Sequence, residues 1–152
     1  MRRIASVGFC ITLLVCLCAC SAEKTYVMSP FKSDVTFVMS GVTVKGLVDF
    51  VSAEDITFTV KEPENISGIV FTADEVAYDD VKISYGSVGD SSPVYILFDI
   101  LRHMASQEIK IPPEGEYSYA SVGNSAGYKI IFNCENNKIT SIESGKFTYN
   151  FE

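Results

Sequence analysis

Ser125 sits within Gly123-Asn124-Ser125-Ala126-Gly127, the G-x-S-x-G spacing that lifts a serine hydroxyl out of a tight turn for nucleophilic attack. That chemistry needs a strand before the serine, a helix after it and a histidine later in the chain. Here Tyr128 to Cys134 reads as another strand, and the single histidine, His103, precedes the serine. Two glycines around Asn-Ser instead suit a hairpin loop that needs positive φ. Ser29-Pro30-Phe31-Lys32 has the S-x-x-K spacing of a serine acylase without the helix or the companion motifs. Asp74, Glu75, Asp79 and Asp80 supply carboxylate oxygens for a hard cation, but they lack the central glycine and terminal glutamate of a calcium loop. Charges along a strand also discourage edge-to-edge pairing, which is the reading adopted for them. His103, beside Arg102, lies near the expected helix end, and a cation there interacts favourably with a helix C-terminus. With one histidine and no cysteine partner for it, a transition-metal site is not expected. Cys134 ends the run Ile130-Ile131-Phe132-Asn133-Cys134 and reads as a small apolar residue near a strand end. No catalytic residue, no metal ligand and no cofactor is expected.

The cysteine to which chemistry is assigned is Cys20. Arg2 and Arg3 form a positive n-region, and Ile4 to Cys16 is an apolar stretch too short to span a bilayer comfortably. Leu17-Cys18-Ala19-Cys20 follows and resembles the lipobox of bacterial lipoproteins. The resemblance implies that the Cys20 thiol receives a diacylglyceryl group, that residues 1–19 are cleaved as a signal peptide, and that acylated Cys20 becomes the mature N-terminus. It implies a chain anchored by lipid, palmitate included, on the extracytoplasmic face of a bacterial membrane. Ser21 stands where the inner-membrane retention signal has aspartate, so in a cell with an outer membrane the same resemblance implies sorting to it.

Composition narrows what the exported part can do. Cleavage removes Arg2 and Arg3 from 12 basic residues and none of the 19 acidic ones, so the mature chain is more acidic than the full sequence, whose formal charge is −7. That balance argues against a nucleic-acid partner, and a membrane partner must be met through acyl chains rather than a basic patch. A diacylglyceryl group supplies two chains, where one holds only marginally. Cys10, Cys16 and Cys18 leave with the leader and Cys20 is alkylated, so Cys134 remains without a disulfide partner.

Residues 20–30 are expected to be a lipidated N-terminus and polar tether, and 31–152 a single domain. From Phe31 onward the pattern has period two. Val35, Phe37 and Met39 form one face, and Ile56, Phe58 and Val60 alternate with Thr57, Thr59 and Lys61. Gly46 interrupts the segment Val42 to Phe50, where a bend or bulge is expected. Further strands are expected at Ile66 to Thr72, Glu75 to Tyr85, Glu108 to Ile111, Tyr117 to Val122, Tyr128 to Cys134, Lys138 to Ile142 and Phe147 to Phe151. Short links such as Glu135-Asn136-Asn137 favour antiparallel neighbours. One segment differs: Ser92-Pro93 starts a helix of about three turns, with Val94, Ile96, Leu97, Phe98, Ile100, Leu101 and Met104 apolar on most of its circumference. The expected fold is α+β, a curved and mostly antiparallel sheet, or half-barrel, packed around one apolar helix.

Many antiparallel strands with one embedded helix behind a lipobox resemble the half-barrel of the Lol-type lipoprotein carriers and the mycobacterial lipid-carrying lipoproteins. The closest local likeness is Phe58-Thr59-Val60-Lys61-Glu62-Pro63, an isoleucine-containing strand, and then Asp74-Glu75-Val76-Ala77-Tyr78. It covers about a third of the mature chain and implies an apolar ligand such as a lipid or acyl chain. The residues themselves leave two readings of the apolar supply. Phe37, Phe58, Ile96, Leu97, Ile100, Leu101 and Met104 either fill a core or line a ligand cavity. The alternative function is a non-enzymatic structural or adaptor module that binds another cell-envelope protein.

Overall fold

The computed structural model describes residues 24–84, 92–112, 114–122, 125–133, 136–145 and 147–152. Cys20 and the leader, Gly123, Asn124 and Cys134 lie outside the described residues.

The period-two segments form a large, curved, unclosed antiparallel sheet. Its central strands are β2 (Phe31–Met39), β3 (Val42–Ser52) and β4 (Asp55–Glu62), joined by tight turns. Their alternation sends Val35, Phe37, Val44, Val48, Phe50, Ile56, Phe58 and Val60 to one face, where all are buried. Beyond β4 the sheet continues through β5 (Val70–Phe71), β6 (Glu75–Tyr78) and β7 (Val81–Ser84). The other arm is β9 (Glu116–Val122), β10 (Ser125–Phe132), β11 (Ile139–Ser144) and β12 (Phe147–Phe151). The arms meet where β12 pairs with β2, with Asn150 opposite Thr36 and Phe151 opposite Val35. Glu152 N–H extends this seam by donating to Asp34 O at 3.0 Å, and Ser33 Oγ–H donates to Glu152 O at 2.8 Å.

Helix α1 (Pro93–Ala105) follows β7 and packs on the inner face of the sheet. Proline stands at its first turn as expected, although the Ser92 side chain makes no capping hydrogen bond. Tyr149 Oη–H donates to Pro93 O at 2.7 Å, and the Tyr95 ring meets Phe71 and Phe98 edge-on. At the other end Arg102 donates from Nε to Ala53 O at 3.2 Å and from Nη1 to Asp99 Oδ1 at 3.1 Å, tying the helix to the β3–β4 turn. Among the described residues no helix is long and apolar enough to cross a membrane.

Gly46 has a steric role besides the expected bulge, which is present as a register shift between Lys45 and Gly46. A Cβ there would stand 2.3 Å from Phe58 Cζ and 2.6 Å from Thr59 O. The Phe58 ring fills the space over the glycine, so any side chain there forces the ring and the β4 backbone to shift.

Four segments differ from expectation. Ser125-Ala126-Gly127, expected in a hairpin loop before a strand at Tyr128, already forms the start of β10, where Ser125 pairs with Val122 and Ala126 with Ser121. Lys24–Tyr26, assigned to the tether, is strand β1 and pairs antiparallel with β8 (Ile109–Ile111) in a second, two-stranded sheet. Ile109 and Ile111 are buried, and the Tyr26 ring lies 5.1 Å from that of Phe132, so apolar contacts hold a polar-looking segment on the body. Ile66 to Thr72 is not one strand. A 3₁₀ turn occupies Glu64–Ile66, Gly68 has φ of 90°, and only Val70–Phe71 pairs. Glu75 to Tyr85 is not one strand either, because Asp79 adopts φ of 50° and turns the chain into the β6–β7 hairpin. Aspartate tolerates that conformation better than most residues, and two adjacent acidic residues at the tip stay in water.

Candidate functional site

The residues expected to line a ligand cavity separate into three groups. Leu97, Ile100, Leu101 and Met104 are each 0 % exposed and pack in the core against the sheet. Ile96 is only half-buried and lies on the outward side of α1 with Asp99 and Arg102. Phe37 and Phe58, whose rings are 5.8 Å apart, do line a void, but a small one. It measures about 100 Å³ and lies between the first turn of α1 and the strand ends carrying Met39, Val44, Val60 and Phe71. Ligand pockets run from about 300 Å³ upward, so this space does not hold a whole acyl chain while α1 stays seated.

The candidate nucleophile is part of a β-hairpin. Ser125 opens β10 and pairs with Val122 of β9, so a strand follows where an elbow needs a helix. His103 is engaged by other groups. Its Nδ1 lies 2.7 Å from Tyr128 Oη and 3.2 Å from Gln107 Nε2, and its ring packs 4.3 Å from Tyr119. Burial raises the Tyr128 pKa well above the ordinary tyrosine range, with the neighbouring Tyr117 and Tyr119 adding to the effect, so the phenol stays neutral. This helix-to-strand contact was invisible in sequence, since its partners are separated by 25 residues. Of the acidic cluster, Glu75 is held by Lys82 at 2.6 Å, and Asp74, Asp79 and Asp80 are exposed. Among the described residues no group of three histidine, cysteine, aspartate or glutamate side chains could hold a metal ion.

A larger concavity lies where none of those residues is. The chain between β1 and β2, the β10–β11 connection and the C-terminal end of β12 enclose a cleft of about 570 Å³. Tyr26, Phe31 and Phe151 give it half-buried rings. Asn133, Asn136, Asn137, Thr140, Ser29 and Ser33 give it amides and hydroxyls. Burial raises the Tyr26 pKa, which keeps its hydroxyl a neutral donor. The cleft exists because β12 pairs with β2 and β1 pairs with β8, which carries three distant segments to one corner.

Two of the three charged side chains in the cleft lining, Lys32 and Glu152, are paired, and the third, Lys138, is exposed. Lys32 Nζ meets Asp49 Oδ2 at 2.6 Å, and Glu152 Oε2 accepts from Lys45 Nζ at 3.0 Å, which raises the Lys45 pKa. Lys32 is the lysine of the S-x-x-K spacing, and it is engaged with a carboxylate. The β10–β11 loop is closed by Asn133 N–H donating to Lys138 O at 2.8 Å and Asn137 N–H donating to Asn133 O at 2.7 Å. The sequence read Asn136 and Asn137 as turn residues only, and nothing in their spacing distinguishes a turn from a turn that also walls a cleft.

No protein-family model matches this chain, and no curated protein matches it. Among solved structures it is similar to an uncharacterized conserved protein from Thermus thermophilus, at 10% identity and a TM-score of 0.38, covering 81% of this chain and 76% of that one.

Proposed function

We propose that this chain is a lipid-anchored, extracytoplasmic binding module without catalytic chemistry, and that its ligand site is the cleft between β1, the β10–β11 loop and the end of β12. The observation that carries the site is the cleft itself. At about 570 Å³ it has the size of a small-molecule pocket, with rings and convergent polar groups in its walls. Anchoring rests on Leu17-Cys18-Ala19-Cys20, and β1 bears on its geometry. With Lys24 already paired, only four residues, 20–23, precede the folded body rather than eleven, and Cys20 can stand no more than about 18 Å from Thr25 in a fully extended chain. Thr25 also lines the cleft, so an acylated Cys20 would keep the cleft within reach of the membrane surface. Binding rather than catalysis is supported by the hairpin setting of Ser125 and by the engagement of His103 with Tyr128.

Native mass spectrometry of protein extracted from membranes without delipidation tests the reading. The expected result is a chain beginning at acylated Cys20 together with a non-covalent mass that dissociates on activation. A chain that retains residues 1–19 without acylation overturns the anchor. Retention of the adduct after the cleft is occluded by a bulky substitution at Thr140 overturns the site.

Carriage of an apolar ligand within a half-barrel is the second reading. It is favoured by the void beside Phe37 and Phe58 and by the exposed Val38, Met39 and Val42 at the adjoining β2–β3 tip. Carriage requires α1 to move outward at Pro93, so a disulfide or crosslink holding α1 to β12 abolishes uptake of a fluorescent fatty acid if this reading holds. Uptake unaffected by the crosslink removes it.

A further inference from the structure

The three asparagines of the cleft are not equivalent. Asn133 Oδ1 accepts from Asn136 N–H at 3.4 Å, and Asn136 Oδ1 accepts from Lys138 N–H at 2.9 Å, so both oxygens help to close the loop. Asn137 Oδ1 is buried and has no hydrogen-bond partner. Its backbone has φ of 57°, and tolerance of that conformation explains an asparagine here. It does not explain an amide oxygen left buried and unbonded, an arrangement native proteins rarely keep without a use. Rotation of the side chain toward the cleft exchanges that unsatisfied acceptor for a bond to whatever occupies it.

The rest of the lining says what that occupant is. Lys32 and Glu152 already have opposite charges as neighbours, and Lys138, the other charged side chain of the lining, is exposed to water, where a screened charge contributes little, so an ionic ligand gains little here over a neutral one. A purely apolar ligand would cover amides and hydroxyls without bonding them, which costs free energy at each. Tyr26, Phe31 and Phe151 present ring surface in the same cleft. A neutral molecule that donates and accepts through hydroxyls, and that also has C–H faces to lay on rings, satisfies both kinds of wall. We propose that the cleft binds a neutral glycan, with Asn137 as a specificity-determining contact. This rests on the reading of the cleft as the ligand site.

The test uses full-length protein purified from membranes in detergent, followed by amide NMR during titration with three probes: chitotriose, maltotriose and a capped neutral tripeptide. The expected result is that at least one oligosaccharide at millimolar concentration shifts the amides of Asn136, Asn137, Lys138 and Tyr26, and that the tripeptide does not. Asn137→Gly keeps the positive φ while removing the amide. It is expected to weaken that binding about tenfold or more without lowering the melting temperature, because the amide it removes has its oxygen unbonded in the free protein. Shifts with the tripeptide alone overturn the glycan assignment and leave the cleft as the site. Shifts with none of the three probes overturn the glycan assignment, and if the endogenous adduct also maps elsewhere the cleft itself is lost. Unchanged oligosaccharide binding by Asn137→Gly overturns the role of Asn137.

Discussion

Single residues set how this fold responds to acid and base. Asp34 is hydrogen-bonded by Lys61, which holds its carboxyl below the ordinary range, against a smaller opposing effect of desolvation. A depressed carboxyl stabilises the fold above the unfolded-state pKa of about 3.9 and loses that contribution as pH falls through the folded value. Lys61→Met is therefore expected to move the Asp34 carboxyl upward toward its ordinary pKa. A carbon-detected NMR titration that finds it unmoved would contradict the pairing. Tyr149 behaves in the opposite sense. It is fully buried, burial raises its phenol well above the ordinary value, and its hydroxyl donates to Pro93 O. Its contribution is complete below the unfolded tyrosine pKa of about 10 and is lost as pH rises beyond that. Ultraviolet titration should show a phenol that ionises only with alkaline unfolding. Because Tyr128 is raised as well, Tyr149→Phe should reduce that late component by one phenol rather than abolish it, and should cost about 1–2 kcal/mol in urea melts, the loss of one buried hydrogen bond.

At the scale of elements, α1 contributes Leu97, Phe98, Ile100, Leu101 and Met104 to the core, and its packing on the sheet is tested from both sides. Leu97 is 0 % exposed and lines neither the cleft nor the small void. Leu97→Ala is accordingly expected to cost about 2–5 kcal/mol, the range for a buried large-to-small change. Denaturant melts giving well under about 1 kcal/mol would mean that space already exists beside it and would revive a cavity under the helix. From the sheet side, Gly46→Ala places a methyl 2.6 Å from a backbone carbonyl that cannot rotate away. A loss of about 1–3 kcal/mol or more is expected, and Phe58→Leu in the same chain should recover part of it by vacating the ring position. No recovery in the double variant would place the conflict at Thr59 O alone.

For the whole molecule, the pairing of β1 with β8 starts the folded body at Lys24, four residues after Cys20, and this bears on the proposed anchor. A long polar tether would let the domain sample a wide zone above the membrane. If Cys20 is acylated as proposed, a short one would hold the cleft close to the surface. Cys20→Ser removes the thiol on which acylation depends. It is expected to yield protein without incorporated labelled fatty acid, either retained as precursor or shed from the membrane. Label in the Cys20→Ser protein would defeat the lipid-anchor reading.

Much of this architecture was legible in the sequence because local rules govern it. Alternation placed Val35, Phe37, Ile56, Phe58 and Val60 on one buried face, Ser92-Pro93 marked the start of α1, and Gly46 marked a bulge. A strand after Ser125 was enough to reject the elbow. Local rules failed where short segments changed direction, at Gly68 and Asp79, because two or three residues of alternation look alike in a strand and in a hairpin. The cleft was beyond reach for a different reason. Periodicity tells which face of a strand is buried but not which strand lies beside it. The pairings β12 to β2 and β1 to β8 are what bring Tyr26, Phe31, Asn137 and Phe151 to one corner. Sequence by itself determined the strand-rich class, the apolar helix and the candidate anchor at Cys20. Only the tertiary structure decided that Leu97, Ile100, Leu101 and Met104 are core rather than cavity wall, and that the larger cleft lies at the corner where β1, the β10–β11 connection and the end of β12 come together.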